Sequence, residues 1–376
     1  MRDHLPNSLK FLLVPVGLLG LPFLGFLLSG KPFNPLWELP PATSTVIHPP
    51  FSWPIFGLFS TIILGFIVAL LHLLFQGKKA PTTSKPPSPG LRFPWWGWVS
   101  FGSLLLFWVL AWTRFPWFSD FQGLTFTPLW VSFIFLLNAL TYQRRSRCLI
   151  LDHPKFFLSL FLWSALFWWY FEYLNRFVQN WRYVGLEPMT ATFYVLHSTL
   201  AFSTVLPAVL SACELLYTYS LFSNCGYRRP LPISQAKKFS WILGIIGSAS
   251  LMGLALWPNV LFPMLWIGPL LILLAIQIPW SKSRVMSALE AGYWQVVTIP
   301  GCAGLMCGFF WELWNFYSAA RWEYAIPFVD RFHLFAMPIL GYAGYLPFGL
   351  ECVVAVDFLA RGRHRFDFIG WSNNRG

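Results

Sequence analysis

Two stretches of this chain hold the residues best suited to chemistry, and they are nearly the same sentence. "YFEYLNRFVQNWRYVGLEP" runs from Tyr170 to Pro188, and "FFWELWNFYSAARWEYAIP" from Phe309 to Pro327. Each sets a glutamate three residues before an asparagine: Glu172 with Asn175, and Glu312 with Asn315. Residues i and i+3 share a helix face, so each acid projects beside its amide. Aromatic side chains crowd both pairs, Trp168, Trp169, Tyr170 and Phe171 in the first, Phe309, Phe310, Trp311 and Trp314 in the second. A carboxyl shielded from water in this way is placed for general acid–base work, with the amide orienting a substrate or the acid itself. The catalytic expectation therefore falls on Glu172, Asn175, Glu312 and Asn315. Trp169, Trp181, Tyr183, Trp311, Trp314, Trp322 and Tyr324 are expected to hold an apolar substrate.

A structural reading competes with this one. Glu172 and Arg176 stand at i and i+4, a plain helix ion pair, and Glu312 could answer Arg321. The asparagines could cap helix ends or join helices. Phe316 occupies in the second stretch the place of Arg176 in the first. The ion pair is thus not the recurring element, whereas the Glu and the Asn are.

The elements that must position these residues follow from composition. Of the 376 residues, 56% are hydrophobic and 11% charged. Soluble domains carry roughly 25% charged residues. Several apolar runs approach the ~20 residues that cross a bilayer as a helix. They lack the alternation of a membrane β-barrel. The fold class expected is an all-α polytopic membrane protein with about ten transmembrane helices, near 11–30, 53–76, 95–114, 126–143, 156–175, 191–220, 239–257, 260–280, 292–318 and 334–360. The first apolar stretch exceeds a signal-peptide core and reads as a retained span.

All but six of the 26 Lys and Arg fall on one side of this arrangement. The six are Lys31, Arg114, Arg176, Arg182, Arg321 and Arg331, opposed by Glu38, Asp120, Glu172, Glu187, Glu312, Glu323 and Asp330. This asymmetry orients the basic loops and both termini toward the cytoplasm, in a bacterial-type inner membrane. The net charge of +12 is explained by these loops and by anionic headgroups, with no need for nucleic acid. Domain units are expected at 1–76 (two spans), 77–94 (Pro/Ser/Lys cytoplasmic linker), 95–222 (first membrane repeat), 223–238 (basic loop), 239–360 (second repeat) and 361–376 (basic tail).

The repeat extends past the two opening stretches. Glu312 follows Glu172 by 140 residues, and Asn315 follows Asn175 by the same offset. A Trp-x-Tyr comes next in each copy, then Glu187-Pro188 or Ile326-Pro327. A Leu-Pro pair follows inside the next span, at Pro207 and Pro347, where helix kinks are expected. Each of those spans then carries an intramembrane acid, Glu214 or Glu351, costly in lipid and functional by default. Two copies of a four-span unit would share one orientation, a parallel repeat about an axis along the membrane normal. The Gly-rich "LGYAGYLPFGLE" (Leu340–Glu351) admits close approach of another backbone.

His197 and His333 fall at near-equivalent places, where a pair of axial haem ligands would need facing positions. The six cysteines form no CxxC pair, and neither a metal site nor a disulfide framework is read from them. No nucleotide-binding or hydrolase motif is present, and no cofactor is named by the sequence. Three functions compete. The first is a membrane-embedded enzyme performing acid–base chemistry on an apolar lipid or isoprenoid at the paired E-x-x-N motifs. The second is a lipid or proton-coupled transporter or flippase. The third is a structural or accessory membrane subunit. Membrane lipids and a small apolar substrate are the partners expected; protein partners are not identified by the sequence.

Overall fold

The computed structural model describes residues 7–76, 92–185, 189–223, 236–278 and 284–359. The expected linker, the basic loop after Ser223, the tail and Glu187-Pro188 lie outside the described residues, apart from 92–94 and 236–238. The longer helices are α1 (Asn7–Ser29), α2 (Trp53–Gln76), α3 (Trp95–Trp112), α4 (Phe126–Arg145), α5 (Pro154–Val178), α6 (Ala191–Phe202), α7 (Val205–Tyr217), α8 (Ala236–Leu256), α9 (Gly268–Gln277), α10 (Gln295–Phe316) and α11 (Tyr345–Leu359). Among the described residues seven helical stretches are long and apolar enough to cross a membrane, or nine if each of two bent pairs is one span. The all-α membrane class holds.

The difference from ten has local causes. The stretch expected at 260–280 is broken: Pro258–Leu265 meets α9 at a 50° bend, next to Pro263 and Pro269. The run before α4, Pro116–Leu124, meets it at 67°.

Burial separates a centre from a periphery. The span through α6 and α7 is 67% buried within the protein, while that of α2 is 6% buried. An apolar helix left so bare needs an apolar surrounding, as bilayer hydrocarbon provides. The core is built from α4, α5, α7, α10 and α11, with Trp130, Phe171, Phe348 and Trp314 almost wholly enclosed. α10 and α11 meet through glycines: a Cβ on Gly304 or Gly349 would collide with backbone of the opposite helix. Small residues permit such close crossing in a bilayer, where packing drives association.

Pro207 and Pro347 both stand at the third residue of a helix, in α7 and α11. Proline lacks the N–H that would continue the helix backward, so the α-helical ladder stops one turn upstream. α6 and α7 are separated by the turn at Ser203 and Thr204, and α11 is preceded by a 3₁₀ turn over Ile339–Gly344. The bends thus lie just before the prolines.

Two small sheets lie between helices. β1 (Trp181–Val184) pairs antiparallel with β2 (Arg321–Tyr324), and β3 (His333–Leu334) with β4 (Met337–Pro338). The alternation Trp-Arg-Tyr and Trp-Glu-Tyr has the period of a strand. Both Trp-x-Tyr segments therefore sit in one ribbon joining the ends of α5 and α10.

Candidate functional site

The ribbon is held by the two asparagines. Asn175 Nδ2 donates to the Trp181 carbonyl at 2.8 Å, and its Oδ1 accepts the Asn180 amide at 2.9 Å and the Trp181 amide at 3.4 Å. Asn315 treats Trp322 in the same way, donating to its carbonyl and accepting its amide, both at 2.8 Å. Each amide group is spent on backbone that would otherwise be unsatisfied near the core. Gly185 ends β1 at φ +74°, where a Cβ would collide with the Ala319 carbonyl. That fixes the spacing of the two strands at their far end.

With the strands clamped, their aromatic side chains turn back onto the acids. Tyr183 Oη donates to Glu172 Oε1 at 2.6 Å. Trp181 Nε1 at 3.0 Å and Trp168 Nε1 at 3.1 Å donate to the same oxygen. Tyr324 Oη donates to Glu312 Oε1 at 2.6 Å, joined by Tyr345 Oη at 2.7 Å. Trp322 Nε1 donates to the Tyr324 oxygen at 2.8 Å. Glu312 Oε2 is buried with no protein partner among the described residues. Burial pushes the phenols of Tyr183 and Tyr324 well above their ordinary pKa, and each neighbouring glutamate adds to it. Both hydroxyls therefore stay protonated at neutral pH and act as donors.

Neither competing ion pair forms. Arg176 donates instead to the carbonyls of Pro35 and Glu38, and Arg321 to Glu323 Oε1. Across the ribbon, Arg182 reaches Glu323 Oε2 at 3.1 Å. These hydrogen bonds, Arg182 first, hold the Glu323 carboxyl below the usual range.

A cavity of about 100 Å³ lies between the two Glu–Tyr units. By this measure a single water needs roughly 10–15 Å³, so the space takes a small organic group or one end of a longer molecule. Trp168, Trp181 and Tyr183 face it from one side, Trp311, Trp322, Tyr324 and Tyr345 from the other. Phe126, Phe202 and Trp266 complete the aromatic wall, and His197, Ser198 and Arg321 bring polar groups. Neither glutamate lines the cavity; the tyrosines bonded to them do.

The residues expected to hold a substrate divide. Trp181, Tyr183, Trp311, Trp322 and Tyr324 line the cavity. Trp169 turns away, its Nε1 donating to Thr199, and Trp314 packs among Trp130, Phe133 and Phe310. The two intramembrane acids also divide. Glu214 Oε2 accepts the Leu149 amide at 2.9 Å and so caps a short helix, whereas Glu351 has both oxygens buried without a protein partner among the described residues. His197 is bonded to the Gly123 carbonyl and His333 to Asp330. The described residues hold no cluster of His, Cys, Asp and Glu suited to a metal ion.

Four wall residues outside the sequence expectation are Phe126, Phe202, Trp266 and Tyr345. The 140-residue offset pairs Phe126 with Trp266, a signal open to sequence comparison. Tyr345 stands one residue before the second Leu-Pro, where the first copy has Val205, so the offset alone points away from it.

No protein-family model, curated protein or solved structure matches this chain.

Proposed function

We propose that the protein is a membrane-embedded enzyme that performs acid–base chemistry on an apolar lipid or isoprenoid, in a cavity between two duplicated halves. The observation that carries this reading is the cavity itself, aromatic around its wall and bounded on both sides by a tyrosine hydroxyl bonded to a buried glutamate. In such a site Tyr183 or Tyr324 passes a proton to a double bond, and the glutamate behind it re-supplies the phenol. Aromatic faces stabilise the cation that results, and the other Glu–Tyr unit takes a proton from the neighbouring carbon, so that a double bond re-forms one position along and the net charge is unchanged. Glu172 and Glu312 are the acid and base, and Asn175 and Asn315 position the strands that bring the tyrosines to them.

Several independent features support the duplication. The bent helix pairs that include α4 and α9 begin 142 residues apart, at Pro116 and Pro258. Wall residues pair at offsets of 140 or 141: Phe126 with Trp266, Trp181 with Trp322, Tyr183 with Tyr324, His197 with Met337, Ala201 with Gly341, Val205 with Tyr345. In the ribbon Trp181 opposes Tyr324 and Tyr183 opposes Trp322. That register is unchanged when the copies are exchanged, as at a twofold interface. We place the basic loops and both termini in the cytoplasm of an inner membrane, with the ribbon at the opposite face, on the charge asymmetry.

The test is mass spectrometry of lipids retained by gently extracted protein, wild type beside the Glu172→Gln/Glu312→Gln double variant. A defined apolar lipid in both, chemically altered only with wild type, is the expected result. No defined lipid in either, with folding intact, overturns the reading.

A further inference from the structure

Apart from the cavity, one place in the bilayer interior departs from the two-copy pattern in a way the fold does not require. Glu351, in α11, is fully buried, and neither carboxyl oxygen has a protein partner among the described residues. The Tyr170 hydroxyl, in α5, is likewise buried and unpartnered. Phe348, one turn before Glu351, packs on Phe171, the residue next to Tyr170, and on Phe167 one turn before it, so α11 meets α5 at this level.

The other half of the chain shows what the fold needs there. The residue 140 before Glu351 is Ser211, whose hydroxyl accepts Asn138 Nδ2 at 2.8 Å. The residue 140 after Tyr170 is Phe310, packed on Phe133 and Trp314. A small bonded hydroxyl and a phenyl ring satisfy the packing in that half. In this half they are replaced by an acid and a phenol, and the residue 140 after Asn138 is Ile278, which has no polar group to offer. Leaving three polar oxygens without partners is costly in a low-dielectric interior. A bare carboxylate in that setting costs far more than the neutral acid.

Among the described residues no basic side chain bonds the Glu351 carboxyl; of the two on α5, Arg176 donates to the carbonyls of Pro35 and Glu38, and Lys155 is exposed at the helix start. α9 carries no titratable residue, nor does Val14–Ser29 of α1. α10 brings Cys302, Cys307 and Glu312, the last bonded to Tyr324 and Tyr345. α7 brings Cys213 and Glu214, the latter turned to the Leu149 amide. α5 adds Tyr173, which donates to the Leu19 carbonyl, and Glu172, bonded on the cavity side. Cys352 and Asp357 share α11 itself.

We propose that Glu351 and Tyr170 form a second intramembrane site, separate from the aromatic cavity, whose ligand is an exchangeable proton. Glu351 carries the proton as a neutral carboxylic acid, and the Tyr170 hydroxyl is the group through which it enters or leaves. The inference does not depend on any reaction in the cavity.

The test is infrared difference spectroscopy of the full-length protein in lipid, wild type beside Glu351→Gln and Tyr170→Phe. A protonated-carboxyl band is expected in wild type at neutral pH, lost in Glu351→Gln and moved in frequency in Tyr170→Phe. In heavy water the band should shift while the protein stays folded, because the proton exchanges. No band lost in Glu351→Gln, or a lost band that in wild type resists exchange until the protein unfolds, overturns the proposal. If Glu351→Gln does not fold, Tyr170→Phe decides: an unmoved band defeats the pairing. Lipid retained by the cavity should be the same in all three proteins, which keeps this outcome apart from that of the enzymatic reading.

Discussion

The centres around Glu172 and Glu312 solve one problem with different parts. Both bury a carboxyl and give it a tyrosine hydroxyl from the ribbon at 2.6 Å. Their remaining donors come from opposite directions. At Glu172 the ribbon also gives Trp181, the donor from the helices is Trp168, one turn back on the same helix, and the facing helix presents Val205. At Glu312 the corresponding position is Gly308, and the extra donor is Tyr345 from the facing helix. A Cβ on Gly308 would overlap the Tyr345 ring, so the glycine makes the room that the tyrosine fills. Large and small have changed sides, and the donor has moved with the large residue. What stays constant is the buried acid, the ribbon tyrosine and the asparagine clamp, and these carry the shared chemistry.

The clamp gives the largest expected effect. Asn175→Ala removes the partner of two amides and one carbonyl, whereas Asn315→Ala frees one amide and one carbonyl. Each buried backbone group left unsatisfied costs about 1–3 kcal/mol. Asn175→Ala should therefore destabilise by about 3 kcal/mol or more and Asn315→Ala by about 2 kcal/mol or more. Unfolding in mixed micelles measures both. Equal, negligible losses would mean that the ribbon does not depend on its clamps.

The exchange of large and small is testable by rebuilding one centre as the other. Gly308→Trp alone should overpack the α10–α11 contact and cost about 1–3 kcal/mol or more. Adding Tyr345→Val clears the space and copies the arrangement at Glu172. The double variant should recover a coupling of about 1–3 kcal/mol, beyond what additivity of the singles allows. Additive losses would show that the two positions do not share one space.

Much of this architecture is legible in the residues alone. The membrane class follows from charge content and run length, and the paired E-x-x-N segments from simple comparison of one half with the other. The ribbon is hidden because four residues of alternation, Trp181–Val184, look like loop between two long helices. The role of the asparagines is hidden for a related reason: their partners are backbone groups, which have no sequence signature. Tyr345 escapes notice because its partner in the other half is Val205, so the donor is visible only where the Gly308 side is known to be empty. The bent spans are hidden because proline breaks a helix without changing hydropathy, as at Pro263 and Pro269.

Removing the ribbon hydroxyls should have a moderate effect that separates structure from chemistry. Tyr183→Phe deletes one hydrogen bond to a buried acid while keeping the ring; Tyr324→Phe deletes the equivalent bond and also the acceptor of Trp322 Nε1. A net loss of about 1–1.5 kcal/mol is expected for Tyr183→Phe and a larger one, about 2–3 kcal/mol, for Tyr324→Phe. Glu172 retains two indole donors and Glu312 retains Tyr345, so folding should be preserved in both. Lipid turnover, if the tyrosines relay the proton, should fall in both variants by far more than stability does. Turnover tracking stability alone would reduce the hydroxyls to structural links.

The smallest effect belongs to the ion pair that crosses the ribbon. Glu323 receives Arg182 from one half and Arg321 from its own strand, so it is the charged contact common to both halves. Its carboxyl is held below the usual range, chiefly by Arg182. A group depressed in the folded protein stabilises at pH values above its unfolded pKa, about 4.3. That contribution is lost as pH falls through the folded value. Arg182 is largely exposed, so solvent and salt screen the pair and its worth is below about 1 kcal/mol. Stability should therefore decline slightly more steeply with acid in wild type than in Glu323→Gln, and the difference should shrink in high salt. Identical acid profiles at low salt would place the union of the two strands in backbone pairing and the asparagine clamps alone.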